Sequence, residues 1–215
     1  MSAGQGVSRL DAFVDAAFAF AVTLLVIGGG EPPGTWPELQ AVMSRIPAFL
    51  VGFALIGMFW HAHVRWRQYC GNAGFMAVLL SFALVFLVLV YVYPLRMMAD
   101  SMVDYFTGRA GSGFLTRAEL PGLFTLYGLG FAGMSALVVG LFYSGMRHGQ
   151  PEPGMVPVLK GELGIWMILT GSGLLSVLLA QFQLTVVAAP WVYGLLPIAI
   201  GVFAFRHNWD AQPPA

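Results

Sequence analysis

Residues 8–27 read SRLDAFVDAAFAFAVTLLVI, a run apolar and long enough to cross a bilayer that still holds a carboxylate, Asp15, in its first half. An ionised side chain at depth in lipid is costly, so it normally faces a bundle interior or a water-filled path and has a partner. Asp15 therefore predicts both a polar partner nearby and a functional environment.

The rest of the chain has a membrane composition. Of its 215 residues, 58% are hydrophobic and 9% charged, with a mean hydropathy of +0.78, against roughly 25% charged in soluble domains. Successive apolar runs of about 20 residues each suit membrane spans. They predict an all-α membrane protein with six transmembrane helices over about 8–28, 37–69, 74–98, 121–146, 159–182 and 185–205. Nothing is left over for a separate soluble domain, so residues 1–215 read as one transmembrane domain in the lipid bilayer.

Ten basic and ten acidic residues balance to zero net charge, which gives no sign of a nucleic-acid partner or a polybasic lipid-binding tail. The single cysteine, Cys70, cannot form an internal disulfide, and no Cys/His set has metal-ligand spacing. The first run reads as a retained first helix rather than a cleaved leader: Asp15 interrupts its apolar core, only Arg9 precedes it, and GGGEPPG lacks a small-residue cleavage site. With both termini cytoplasmic, Arg9, Arg65, Arg67, Arg147, Lys160 and Arg206 lie inside against Arg45, Arg96, Arg109 and Arg117 outside. That lysine and arginine bias favours N-in and C-in.

Local signals mark the helix ends. Ser8 with Asp11 has capping-box spacing, and Gly28–Gly30 closes the first helix. Thr35-Trp36-Pro37-Glu38 is a second such box, with proline in the first turn where its missing N–H costs nothing. A long hydrophilic loop after helix 3 carries Asp104, Arg109, Arg117 and Glu119. Ala132, Ala136 and Gly140, with Gly171, Gly173 and Ser176, predict close packing of helices 4 and 5.

At 100° per residue, Arg9, Phe13, Ala16, Ala17, Phe20, Thr23, Leu24 and Ile27 fall within about 60° of Phe20, whereas Asp15 lies about 140° away. Two readings of this wheel stay open. The Phe20 stripe faces an axis shared by several subunits while Asp15 turns back into its own bundle; or the stripe is ordinary packing or lipid contact and Asp15 satisfies a neighbour. His61, His63 and Arg65 in FWHAHVRW are the natural partners for Asp15, since helix 1 starts and helix 2 ends on the same membrane face. Trp60 and Trp66 read first as interfacial residues. No phosphate loop, nucleophile set or paired carboxylates appear, so the chain does not look like an enzyme.

RLDAFVDAAFAFAVTLLVI resembles the first-helix pattern of the transmembrane protein 175 family of potassium channels, through Arg9, Phe13 and Asp15 and the run FAFAVTLLV. Trp60, His63 and Arg65 resemble that family's second-helix pattern, and Pro94 its proline near the end of helix 3. The resemblance implies a homotetramer in a prokaryotic cell membrane, with four copies of helix 1 lining a potassium-selective pore. Potassium is then the permeant ion and no cofactor is implied. It also implies a hydrophobic constriction at Phe20, with Thr23, Leu24 and Ile27 on the pore side, and an anchoring network of Arg9, Phe13, Asp15, Trp60, His63 and Arg65. Val14 stands where the family has serine, and Ala62 and Val64 where it has Asn and His, so Asp15 is expected to have fewer partners than usual. Two alternatives from other classes are a proton-coupled or small-solute transporter using Asp15 with His63, and a haem-binding redox subunit using His61 or His63.

Overall fold

A computed structural model describes residues 3–27, 32–70, 74–107, 119–149, 153–182 and 184–207. Among them the chain is all-helical. The elements are α1 (Ala3–Ile27), α2 (Trp36–Met43), α3 (Ile46–Cys70), α4 (Phe75–Thr107), α5 (Leu120–His148), α6 (Val156–Ala180), α7 (Trp191–Gly194) and α8 (Leu196–Arg206), with short 3-10 turns at Pro153–Met155 and Val186–Ala188. Five helices are long and apolar enough to cross a membrane, and a sixth span arises if the bent Val186–Gly194 and Leu196–Arg206 pair counts as one.

α1 begins earlier than its cap residues suggest. Ser8 lies inside the helix, so it is not the N-cap, and Asp11 is used elsewhere. Gly28–Gly30 fall outside the described residues. Leu10, Val14, Phe18, Ala21 and Leu25 are buried at three- and four-residue spacing, the pattern of one helix face packed on a core.

Residues 37–69 form two helices rather than the single one expected. The cap at Thr35 closes reciprocally: Glu38 N–H donates to Thr35 Oγ1 at 3.5 Å, and the backbone N–H groups of Gly34 and Thr35 donate to Glu38 Oε2 at 2.8 and 3.2 Å. The helix then stops at Met43, where Ser44 Oγ donates to the Ala41 carbonyl at 2.7 Å. Pro47 explains the break, because a continuous helix would press its ring against the Met43 carbonyl and find no N–H to bond it. Placed instead in the first turn of α3, proline costs nothing.

α4 runs past Pro94 to Thr107 rather than ending near 98. Its 33 residues span about 50 Å at 1.5 Å per residue, more than the roughly 30 Å hydrocarbon core. Residues Arg109 and Arg117 of the predicted loop lie outside the described residues. The last apolar run is broken where a single helix over 185–205 was expected, bending by 42° at Leu195. Pro190 precedes α7 and Pro197 sits in the first turn of α8, so neither ring interrupts a hydrogen-bonded interior.

α5 and α6 share the most extensive helix contact. A Cβ on Gly128 would lie 2.9 Å from the Gly173 carbonyl, and one on Gly173 2.9 Å from the Gly128 carbonyl and from Ala132. The close approach therefore runs through Gly128, Ala132 and Gly173. Ala136 is exposed, Gly171 faces open space and Gly140 faces Leu80 of α4. At the centre of the bundle Phe59 of α3 packs edge-on to Phe131 of α5 (5.9 Å) and against Trp166 of α6 (5.4 Å).

Candidate functional site

The chemistry-bearing residues gather where the start of α1 meets the end of α3. α1 packs on α3 and α4, and its buried face leaves a broad outer face free. Phe20 is 55% exposed and Ile27 64%, and Thr23 is exposed between them. Thr23 Oγ1 donates to the Ala19 carbonyl at 3.0 Å, which spends its proton and leaves the oxygen able to act only as an acceptor. Leu24 differs from the other three: it is half-buried and packed against the core. Phe13 leans on Phe82 of α4 at 5.1 Å, and Arg9 is exposed.

Asp15 is bound by Trp60, whose indole N–H donates to Asp15 Oδ1 at 2.8 Å. The expected partners His61, His63 and Arg65 are directed elsewhere. His61 is exposed. His63, buried, meets Ser81 Oγ of α4 at 3.0 Å, and that hydroxyl donates to the Ala77 carbonyl at 2.8 Å. With the Ser81 proton committed, His63 Nε2 is the donor of the pair. Arg65 Nη1 pairs with Glu162 of α6 at 2.7 Å, while its Nε and Nη2 donate to Tyr69 Oη at 3.2 and 2.8 Å.

A second tie joins α1 to α3, because Arg67 Nε donates to Asp11 Oδ1 at 2.8 Å. Trp60 and Arg67 are seven residues apart and so share a face of α3, as Asp11 and Asp15, four apart, share a face of α1. The two bonds form rungs between these faces. At 100° per residue His63 is turned about 60° from Trp60, and Arg65 about 160° from Arg67. The end of α3 is thus a hub with polar ties on three sides: to α1, to α4 and to α6.

This geometry explains why the expected pairing failed. Helix ends on the same membrane face are near one another, but which side chains meet depends on rotation about each axis: the wheel of α3 turns Arg65 away from α1, and His63, closer to that face, bonds Ser81 of α4 instead. The hydrogen bonds of Asp15 and His63 go to different helices, Asp15 to Trp60 of α3 and His63 to Ser81 of α4. No group of three potential metal-ligating side chains occurs among the described residues.

Sequence reasoning missed Asp11, Arg67, Ser81 and Glu162 as members of this site. Glu162 carried a usable signal. It is an acid in an otherwise apolar run, GELGIWMILTG, and the cost argument applied to Asp15 applies to it equally. Its side chain is 5% exposed against Arg65's 34%, and Asp15 is exposed, so Glu162 is the more deeply placed of the two carboxylates.

The family described as the endosomal/lysosomal potassium channel TMEM175 matches residues 9–94. A protein named as a potassium channel from Marivirga tractuosa is 34% identical over 148 residues, 65% of this chain and 59% of that protein. Another so named, from Streptomyces collinus, is 29% identical over 97 residues, covering 43% of this chain and 47% of that protein. The chain thus spans less than two thirds of the length of these curated relatives. The fold resembles that of the potassium channel MtTMEM175, crystallised as a variant with a nanobody fusion, at TM-score 0.80 and 24% identity over 92% of this chain and 91% of that one. It also resembles a lysosomal potassium-selective channel homolog from Chamaesiphon minutus, at TM-score 0.62 and 20% identity over 95% of this chain and 99% of that one.

Proposed function

We propose that this chain, whose residues 9–94 match the TMEM175 family, is the subunit of a potassium channel in a prokaryotic cell membrane, with both termini cytoplasmic. Four copies assemble with α1 around a central axis. Phe20 forms the hydrophobic constriction, Thr23 and Ile27 line the path on the same face, and Leu24 flanks it from the edge of the core. Asp15 and Asp11 do not touch the ion; they hold α1 to α3.

The observation that carries this reading is the two-sidedness of α1. One face is sealed against the chain's own core through Val14, Phe18 and Ala21, and the opposite face presents Phe20, Thr23 and Ile27 with no cover from the same chain among the described residues. One helix per chain cannot enclose a path, so a pore lined by this face needs several chains. Apolar rings gate by excluding water, and a ring of hydroxyl oxygens replaces part of an ion's hydration shell. The curated relatives named as potassium channels support potassium as the permeant ion.

The test is potassium flux into liposomes containing the purified protein. Phe20→Ala widens the constriction and is expected to raise flux severalfold over the parent. Background flux in both forms would overturn the reading. A transporter built on Asp15 and His63 gains no support from the geometry, since the two residues bond to different helices.

A further inference from the structure

Glu162 lies beyond the region that matches the family and has no part in the pore as described so far. Its carboxylate is buried, and α6 carries only one other charge, Lys160, which is exposed. α3 and α6 meet through side chains at two levels, Phe59 against Trp166 in mid-bundle and Arg65 against Glu162 near the end. The guanidinium is fully directed: one nitrogen meets Glu162 and two donate to Tyr69, one turn further along its own helix. On the far side of α3 stand Trp60 and Arg67, the two residues that hold α1.

We propose that Glu162 is a positioning residue for the pore helix: by drawing Arg65 to the α6 side it fixes the rotation of α3 that presents Trp60 and Arg67 to Asp15 and Asp11. The physical basis is that a buried carboxylate cannot be left unpaired without a large cost, so the Arg65 direction is enforced. A rotation of α3 about its axis would move Arg65 and the Trp60–Arg67 face together. The C-terminal half of the chain then sets the placement of α1 through a single ion pair. This rests on the reading of α1 as the pore helix.

The test uses the full chain in lipid and reads two signals: the indole N–H resonance of Trp60, assigned by its loss in Trp60→Phe, and potassium flux. Asp15→Asn gives the position of the Trp60 resonance when its charged acceptor is neutralised. Glu162→Gln is expected to move that resonance at least half-way towards the Asp15→Asn position and to change flux at least threefold. The charge-swapped pair Arg65→Glu with Glu162→Arg restores both. Should Glu162→Gln fail to fold, Glu162→Asp, shorter by one methylene, gives the same comparison with a smaller shift. A folded Glu162→Gln protein with an unmoved Trp60 resonance, or a shift the swap does not reverse, overturns the proposal, as does a moved resonance with unchanged flux in a conducting parent. If the resonance moves as expected but the parent itself carries no potassium, the tie from Glu162 to Trp60 stands and the channel reading fails.

Discussion

The indole N–H of Trp60 donates to the Asp15 carboxylate at 2.8 Å, and both side chains sit at the rim of the helix pair, outside the sealed core. A hydrogen bond to a charged acceptor is worth about 1.5–3 kcal/mol, and exposure places this one at the low end. Trp60→Phe keeps an aromatic ring, smaller than the indole, and removes the donor. It is expected to lower stability by about 1.5 kcal/mol, read as an earlier unfolding midpoint in detergent. An unchanged midpoint would mean that Asp15 is held by something else.

Asp15→Asn bears on the role of the carboxylate. If Asp15 only positions α1, the variant loses oligomer on a sizing column before it alters ion preference. Intact oligomers with a changed preference among potassium, sodium and caesium would assign it to the ion path instead.

The α5–α6 seam makes a sharp pair of predictions. A methyl group on Gly173 meets the Gly128 carbonyl and Ala132 at 2.9 Å, whereas one on Gly171 meets nothing within 4 Å. Gly173→Ala is therefore expected to cost about 1–3 kcal/mol through overpacking, and Gly171→Ala to be neutral or stabilising by up to about 1 kcal/mol through helix propensity. Equal melting temperatures for the two variants would refute the close approach.

How much of this was legible in the sequence differs by feature. The apolar runs gave the helices and the T-x-x-E spacing gave the cap of α2, because both depend on residues near in sequence. The breaks at Pro47 and Pro197 are not legible in the same way, since each proline lies in a first turn and reads equally as a helix start or as a flaw in a longer helix. Partner choice around α3 was the least legible. Asp15, His63 and Arg65 are all suited to one another chemically, and only the rotation of α3 against three neighbours separates them.

The α2 cap also carries a pH dependence. The Gly34 and Thr35 N–H groups and the Thr35 hydroxyl hold the Glu38 carboxyl below its usual 4.5. A carboxylate lowered in the folded state stabilises above its ordinary pKa, and the contribution fades as pH falls through the lowered value. Amide protection at Gly34 and Thr35 should thus be steady at neutral pH and fall only below about 4.5, the ordinary value. A loss of protection already between neutral pH and 5 would contradict the cap.

The central claim is that the outer face of α1 lines the ion path. Single cysteines placed along α1 in a Cys70→Ser background, treated with a charged thiol reagent during potassium flux, test it most directly. Modification at positions 20, 23 and 27 should block flux, with no effect at positions 14, 18 and 21, which face the core. Block at the core-facing set, or none at position 23 in a protein that conducts, would contradict the account.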